Sequence, residues 1–220
     1  MSLNVIIVLS GCGALDGSSA QETILLQAAL AKAGATIVFA APDLTQKEII
    51  NHQTGDIMER EQRNTLIESA RLVDSGNVCS LESLDVEAFD AFIFPGGVGT
   101  IHNLCYCDPA DTGHFHVEPS VKKLITTAHT IGKTLGFISH SALLASVLLG
   151  WHEIKITIGD DPHLIGIIRS MGTHHLTCTA EEVIEDEVHH ILSTPAQLLT
   201  CDITVIEKSV YLLVNKALKK

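Results

Sequence analysis

Runs of apolar residues alternate with segments of helical periodicity along most of the chain. Most of these runs are apolar at every position, which is typical of parallel strands that are covered on both faces of a sheet. The pattern predicts five strands: Val5–Leu9, Thr36–Ala40, Ala91–Phe94, Thr134–Ile138 and Lys155–Ile158.

Helical spacing of apolar residues marks the segments between the strands. Glu22–Ala33 shows this spacing and is followed by Gly34, a common helix stop, so it predicts a crossover helix between the first two strands. The same spacing predicts helices at Gln62–Leu72, Val121–Ile131, Ser141–Leu149 and after Asp202, which can cap a C-terminal helix.

The order of these elements predicts a fold class. Strands and helices alternate from the start, and a small hairpin is predicted from Val183–Glu185 and Ile191–Ser193, which flank a charged turn. A three-layer α/β/α sandwich with a mostly parallel sheet accommodates this order. Because no repeat, low-complexity tract or flexible linker divides the chain, we expect a single domain over residues 1–220.

Composition and charge exclude several classes of function. The 220 residues are 46% hydrophobic, which is enough for a full core. Fourteen Lys and Arg against 26 Asp and Glu give a net charge of −12, which argues against a nucleic-acid partner because phosphates need clustered cations. No segment approaches the roughly 20 apolar residues of a membrane span, and no export signal is recognised, so we expect no membrane association and a cytoplasmic protein.

Cysteines and histidines give no motif for a metal. Six cysteines without an export signal predict reduced thiols, and the C-x-C pair Cys105 and Cys107 has no second pair at zinc-finger spacing. No H-E-x-x-H or comparable spacing accompanies the histidine pairs, so the sequence assigns no metal site and leaves metal binding by these pairs as a minor alternative. These pairs are His114/His116, His174/His175 and His189/His190.

The strongest candidate for chemistry is the stretch from Leu135 to Leu144. A short apolar strand there turns at Ser139 into a helix, and such an elbow holds a side chain over the carboxyl edge of the sheet, where α/β enzymes place nucleophiles. The strict G-x-S-x-G spacing is absent, and a serine nucleophile needs a base in contact. His140 is a candidate base, but it is equally open to a structural role or to pairing with an acid elsewhere.

Glu22 is the candidate acid. It lies in the first turn of its predicted helix, where the helix dipole favours a carboxylate. In a doubly wound sheet it would also be the acid nearest to Ser139, from where it could donate or accept a proton.

Two glycine-rich turns follow strands at the same edge. The amides of Gly96 and Gly97 can stabilise an oxyanion, although a tight turn without a ligand explains these glycines equally well. Gly11 and Cys12 follow the first strand and match neither common nucleotide-binding motif. Cys12 is either a reactive thiol or a small buried residue in a tight turn.

The least regular segment runs from Cys105 to Glu118. It contains Asp108, Pro109 and Gly113, and we expect it to form a loop near the active edge of the sheet.

Motifs in order along nearly the whole chain resemble one family. The chain is similar to the ThiJ/PfpI superfamily, and within it to the ElbB-type group called enhancing-lycopene-biosynthesis or isoprenoid-biosynthesis proteins. The segments that carry the resemblance are Leu9–Gly13, Asp16–Ser18, Glu22, Ala41–Asp43, Ile50–Gly55, Pro95–Gly97, Asn103–Leu104, Gly136–Phe137, Thr157–Gly159 and Thr194–Ala196.

The resemblance implies a flavodoxin-like, class I glutamine-amidotransferase-like fold and a glyoxalase-like activity without a cofactor. In that group a cysteine on the elbow attacks an α-oxoaldehyde such as glyoxal or methylglyoxal, and a glutamate on a helix assists proton transfer. The matching positions are Ser139 for the cysteine, Glu22 for the glutamate, and Gly96 with Gly97 for the oxyanion amides. This chain departs from the pattern of that group at two positions. Ser139 replaces the cysteine thiol, and Ala142 replaces the proline usually found after the elbow. A homodimer is expected from the superfamily alone.

The sequence therefore leaves three alternative functions open. The first is a glyoxalase-like enzyme that acts on small carbonyl substrates and is weakened by Ser139. The second is a non-catalytic protein that binds or senses a small metabolite on the same fold. The third is a serine hydrolase or amidase, because Ser139-His140 resembles the Cys-His pair of PfpI-type peptidases.

Overall fold

Strands and helices alternate along a computed structural model that describes residues 2–73, 77–107 and 114–219. The strands are β1 (Asn4–Val8), β2 (Thr36–Ala41), β3 (Val78–Ser80), β4 (Ala91–Phe94), β5 (Cys105–Cys107), β6 (Phe115–Val117), β7 (Thr134–Ile138), β8 (Lys155–Ile156), β9 (His174–His175), β10 (Ile184–Asp186) and β11 (Ile191–Thr194). The α-helices are α1 (Ala20–Lys32), α2 (Thr65–Leu72), α3 (Pro119–Thr130), α4 (Ala142–Leu149), α5 (Pro162–Ser170) and α6 (Ile203–Ala217).

Seven strands form the central sheet in the order β10-β11-β7-β4-β1-β2-β3. All neighbours are parallel except β10, which runs antiparallel to β11 at one edge. The mostly parallel sheet confirms the predicted fold class. Because β11, β7, β4 and β1 are adjacent and parallel, their carboxyl ends lie side by side at one edge.

Helices cover both faces of the sheet, which explains why its strands are apolar throughout. Along β1, Val5 and Ile7 belong to one buried cluster, which includes side chains of α1 and α6. Ile6 and Val8 belong to a second cluster, which includes side chains of α3, α4 and α5. The alternation of β1 side chains between the two clusters is the direct cause of the three-layer arrangement.

The predicted helices are present, and their starts differ by one to three residues from the prediction. Polar side chains fix the true starts: Ser19 caps α1, Asn64 caps α2 and Glu118 caps α3, each by accepting a backbone N–H. The last helix begins after Asp202, whose side chain accepts the Thr204 N–H as predicted.

The strand predicted over Lys155–Ile158 is shorter and does not join the central sheet. Only Lys155 and Ile156 form β8, which pairs with β9 in a separate two-stranded sheet. The backbone N–H of Thr157 donates instead to the Ser193 hydroxyl at 2.9 Å, which ends the strand. The predicted hairpin is confirmed as β10 and β11, but β11 also pairs with β7 as a strand of the central sheet.

Several elements were not predicted. β3 and α5 are absent from the sequence prediction, although Asp161 and Pro162 form a typical helix start for α5. The segment from Cys105 to Glu118 was predicted to be a loop, but its ends form the antiparallel strands β5 and β6. Its central residues, which include Asp108, Pro109 and Gly113, lie outside the described residues.

Candidate functional site

The elbow predicted at Ser139 is present at the carboxyl end of β7. Ser139 has a φ of 55°, which is uncommon for a residue with a side chain, and it begins a 3₁₀ turn that leads into α4. Ser141 holds this turn, because its hydroxyl accepts the Ile138 N–H at 2.8 Å and lies 2.7 Å from the Phe94 carbonyl oxygen. The turn thus fixes Ser139 between β4 and β7.

Glu22 reaches the elbow from the first turn of α1, as its sequence position predicted. Its carboxyl is hydrogen-bonded to the Ser139 hydroxyl and accepts the Gly96 N–H at 2.7 Å and the Gln197 N–H at 3.3 Å. The side chain is completely buried. Four segments that are far apart in sequence therefore meet at one carboxyl group.

The hydrogen-bond geometry at this site favours a protonated Glu22. The Ser139 oxygen lies within hydrogen-bond distance of two acceptors, the Glu22 carboxyl and the Pro195 carbonyl oxygen at 3.0 Å, but a serine has only one proton to donate. Both bonds form if Glu22 donates to Ser139 and Ser139 donates to Pro195. Burial raises the pKa of Glu22, against the opposing effect of the hydrogen bonds that its ionised form would accept from Ser139, Gly96 and Gln197.

Gly96 is required by the close approach of these side chains. A Cβ on Gly96 would lie 2.6 Å from both the Glu22 Oε2 and the Ser139 Cβ. Its N–H donates to Glu22, so an oxyanion would compete with this carboxyl for the Gly96 amide, and the oxyanion role that the resemblance implied stays a prediction. Gly97, with a φ of 112°, is buried beside it, where a Cβ would overlap the Gly17 carbonyl oxygen.

The turn of Gly11 and Cys12 is not part of this hydrogen-bonded group. The Gly11 N–H donates to the Ser69 hydroxyl at 3.1 Å, and within the described chain neither residue makes a hydrogen bond to Glu22 or Ser139. Cys12 is partly exposed, not buried as one interpretation of the sequence expected. Burial, followed by the charge of Glu68, raises the pKa of its thiol, which argues against a reactive thiolate.

His140 does not act as a base toward Ser139 in this structure. It is half-buried, and it makes no hydrogen bond to any residue in the described ranges, so the predicted acid partner is not found there. Burial is the main cause that lowers the pKa of His140, and the neighbouring charge of His102 lowers it further. His102 itself lies 3.3 Å from the Glu48 carboxyl.

Sequence reasoning missed two contributors to the site, Pro195 and Gln197. Both follow β11, whose parallel pairing with β7 brings its carboxyl end beside the elbow. The Gln197 side chain also accepts a hydrogen bond from the Ser19 hydroxyl at 2.8 Å, which ties this segment to the start of α1. The motif Thr194–Ala196 was a usable signal, but its contact with Ser139 depends on a strand pairing that local periodicity does not encode.

The elbow is closed to solvent, and Ser139 does not line the cavity beside His102. Ser139 is only 1% exposed. A cavity of about 450 Å³ opens on the side of His102, and it is lined by Lys47, Glu48, Ile101, His102, Tyr106, Cys107 and Phe115. A carbonyl compound would therefore reach Ser139 only after a local rearrangement.

Comparison with known proteins identifies the family. No family model matches the chain. The human protein named glutamine amidotransferase-like class 1 domain-containing protein 3, mitochondrial, is 30% identical over 224 residues, which cover 98% of this chain and 82% of the human protein. The chain belongs to this glutamine amidotransferase-like class 1, or ES1, family. The mitochondrial ES1 protein of Danio rerio, another ES1 relative, is 28% identical over 90% of this chain and 78% of its own length.

Solved structures extend the comparison beyond the ES1 family. An isoprenoid biosynthesis protein with an amidotransferase-like domain from Ehrlichia chaffeensis superposes with a TM-score of 0.89 at 27% identity, covering 98% of both chains. Glyoxalase III from Candida albicans superposes with a TM-score of 0.62 at 14% identity, covering 98% of this chain and 95% of that one, and supports the shared fold alone. The class I glutamine-amidotransferase-like relationship that the resemblance implied is thus confirmed.

No helix in the described part of the chain is both long enough and apolar enough to cross a bilayer.

Proposed function

We propose that this chain is a glyoxalase-like protein of the isoprenoid-associated group that acts on small α-oxoaldehydes without a cofactor, and that its turnover is slow. The observation that carries the proposal is the hydrogen bond between Ser139 and Glu22 at the elbow. This contact joins a potential nucleophile to a buried acid in the positions that the resemblance assigns to the cysteine and the glutamate.

The proposed reaction needs only the two side chains and water. The Ser139 oxygen adds to the aldehyde carbon, and the carbonyl becomes a hydroxyl, giving a hemiacetal. Glu22 relays the proton on that carbon to the neighbouring carbonyl carbon, and the hemiacetal hydroxyl proton passes to the neighbouring carbonyl oxygen. The neighbouring carbonyl thus becomes an alcohol, and the hemiacetal carbon becomes an ester on Ser139. Water then hydrolyses the ester, which releases the hydroxy acid and restores the serine hydroxyl.

The slow rate follows from the chemistry of serine. The Ser139 oxygen contacts a carboxyl and a carbonyl oxygen, and no histidine of the described chain is hydrogen-bonded to it. An alcohol without a base in contact is a much weaker nucleophile than a thiolate. The same observation removes the base that a serine hydrolase would need.

The test is consumption of methylglyoxal and glyoxal by the purified protein, with identification of lactate or glycolate. We expect product formation that is lost in both Glu22→Gln and Ser139→Ala, whereas Glu207→Gln on the exposed face of α6 retains it. Equal product in wild type and both site variants would contradict the proposal.

A second candidate is a non-catalytic metabolite-binding protein, and the near-complete burial of Ser139 favours it. It predicts that a small carbonyl or carboxylate compound raises the melting temperature of wild type, but not of Glu22→Gln, without turnover. A cytoplasmic location and a homodimer remain predictions, and the relatives described above carry mitochondrial names.

A further inference from the structure

The cavity beside His102 is separate from the elbow. Its volume is about 450 Å³, and neither Ser139 nor Glu22 lines it. Small-molecule sites in proteins typically have volumes of about 300–1,000 Å³. The π-helical turn Thr100–Leu104 forms one wall of the cavity, and such turns are rare and are frequently found at functional sites. The cavity is therefore a candidate ligand site, and its lining indicates which ligand it fits.

Three segments of the chain build the cavity, and hydrogen bonds hold them together. Asn103, in the π-helical turn, is 2% exposed and accepts the Lys47 N–H at 3.0 Å. The Leu104 carbonyl accepts the Glu118 N–H at 2.9 Å, which joins the same turn to the end of the hairpin formed by β5 and β6. The walls are thus held in place without a ligand, and a preformed site loses little affinity to the ordering of its side chains.

The apolar part of the lining comes from Ile101, Tyr106 and Phe115. Tyr106 and His116 face each other across β5 and β6, and their rings are stacked with centroids 5.2 Å apart. This stacking supports the Tyr106 ring in the wall of the cavity. Two aromatic rings and an aliphatic side chain favour a ligand with a flat apolar body.

The charged part of the lining contains a cation without a carboxylate partner. The Lys47 Nζ lies 4.0 Å from the centroid of the Tyr106 ring, and its ammonium makes no hydrogen bond or ion pair within the described chain. The neighbouring Glu48 carboxyl lies 3.3 Å from the His102 Nδ1 and so has a contact of its own. Beside apolar walls the effective dielectric constant is lower than in water, so the Lys47 ammonium attracts an anion more strongly there.

We propose that this cavity binds a small amphipathic anion, with a flat aromatic body and one carboxylate. The body packs against Tyr106 and Phe115, and the carboxylate pairs with Lys47. A ligand with several phosphates would need more cations, because the described lining contains one lysine and no arginine. A small α-oxoaldehyde would leave the apolar walls uncovered. The ligand is therefore of a different class from the substrate proposed at the elbow.

Naphthoate is a suitable probe because it combines a flat ring system with one carboxylate. In calorimetric titrations of the full chain, we expect one molecule to bind per chain with a dissociation constant of about 1 mM or lower. At about ten times this dissociation constant, naphthoate should raise the melting temperature by about 3–6 °C. Naphthol, which has the same rings and is neutral near neutral pH, should bind about threefold or more weakly. Acetate, which has the charge without the rings, should not raise the melting temperature.

Lys47→Met is the decisive variant. Lys47 is exposed and its ammonium makes no hydrogen bond or ion pair within the described chain, so the fold should tolerate the change. The variant should bind naphthoate about threefold or more weakly than wild type. Lys32→Met is the matched control, because the Lys32 Nζ also lies over a tyrosine ring, 5.3 Å from the Tyr211 centroid, but Lys32 does not line this cavity. It should bind naphthoate like wild type.

Two further variants locate the bound probe, and thermal unfolding without ligand shows whether each variant is folded. Phe115→Leu removes an aromatic ring from the wall and should also weaken naphthoate binding. Glu22→Gln should bind naphthoate like wild type, because Glu22 does not line the cavity. The proposal would be overturned by an absence of saturable binding to wild type, by equal affinity in wild type, Lys47→Met and Lys32→Met, or by loss of binding in folded Glu22→Gln.

Discussion

Ser139 and Glu22 are hydrogen-bonded to each other although they are 117 positions apart in the chain. The contact joins the elbow after β7 to the first turn of α1, and the Gly96 N–H holds the other oxygen of the same carboxyl. Because Glu22 is fully buried and Ser139 also faces the Pro195 carbonyl, the geometry accounts for one proton on each of the two side chains.

The raised pKa of buried Glu22 makes stability depend on pH. The folded state holds the Glu22 carboxyl proton more tightly than the unfolded state does, and this tighter binding stabilises the folded state. The stabilisation is complete below the pKa of the unfolded state, about 4.3. It is lost as the pH rises to the pKa of the folded state. We expect the free energy of unfolding of wild type, relative to Glu22→Gln, to fall over this range by at most about 1.4 kcal/mol per pH unit. Urea unfolding of both proteins at a series of pH values measures it, and parallel curves would exclude a raised pKa.

Gly96→Ala should damage the site through overlap. The new Cβ would lie 2.6 Å from the Glu22 Oε2 and the Ser139 Cβ, so the carboxyl must shift away from the elbow. We expect a loss of about 1–3 kcal/mol in the free energy of unfolding. Gly166→Ala in α5, where a Cβ meets nothing within 4 Å, is the control and should stabilise by up to about 1 kcal/mol. Equal effects of the two substitutions would contradict the close packing at Gly96.

Asn103 should be important for stability because it joins three backbone segments. Its Nδ2 donates to the Ser10 and Asp16 carbonyl oxygens, both at 2.9 Å, and its Oδ1 accepts the Lys47 N–H at 3.0 Å. Asn103→Ala removes the side-chain partner of the Ser10 carbonyl oxygen and of the Lys47 N–H, whereas the Asp16 carbonyl oxygen keeps its bond from Gln46, and we expect a cost of about 1–3 kcal/mol in urea unfolding. Asn215→Ala, on the exposed face of α6, should change stability by no more than about 0.5 kcal/mol. A near-neutral Asn103→Ala would show that water replaces these bonds.

Cys12 should be a slow thiol. Burial, and then Glu68, raises its pKa, so less thiolate is present near neutral pH than at an exposed cysteine. We expect iodoacetamide to modify Cys12 several-fold more slowly than the exposed Cys79 in the folded protein, as measured by peptide mass spectrometry. Faster modification of Cys12 would restore the interpretation of this residue as a reactive thiol.

The parts of the site that follow local signals were predictable from the sequence. Ser139 lies where an apolar run changes to helical spacing, and Glu22 lies in the first turn of a clear helix. Pro195 and Gln197 were missed as contributors because their positions depend on the pairing of β11 with β7, which is a long-range property. The oxyanion role implied for the Gly96 amide stays a prediction, and the resemblance gave no sign that a buried carboxyl also uses this donor.

The contact between the rings of His129, His152 and His189, outside the site, was also beyond prediction from local patterns. His129 and His152 are 23 positions apart, and His152 and His189 are 37 positions apart. No metal-ligand motif has such spacing. Each lies at the end of a different element, so only the stacking of layers brings the three rings together. Local patterns predicted the layers but not the side chains that meet between their ends.

The most direct test of the account is the rate of methylglyoxal consumption by Ser139→Cys, measured beside wild type, Ser139→Ala and the double variant Ser139→Cys/Glu22→Gln. A thiol next to a protonated Glu22 supplies the nucleophile that serine lacks, so Ser139→Cys should exceed wild type at least about tenfold. The double variant should lose this gain. A Ser139→Cys protein that is folded but no faster than Ser139→Ala would contradict the claim that the Ser139–Glu22 pair is a glyoxalase-like site.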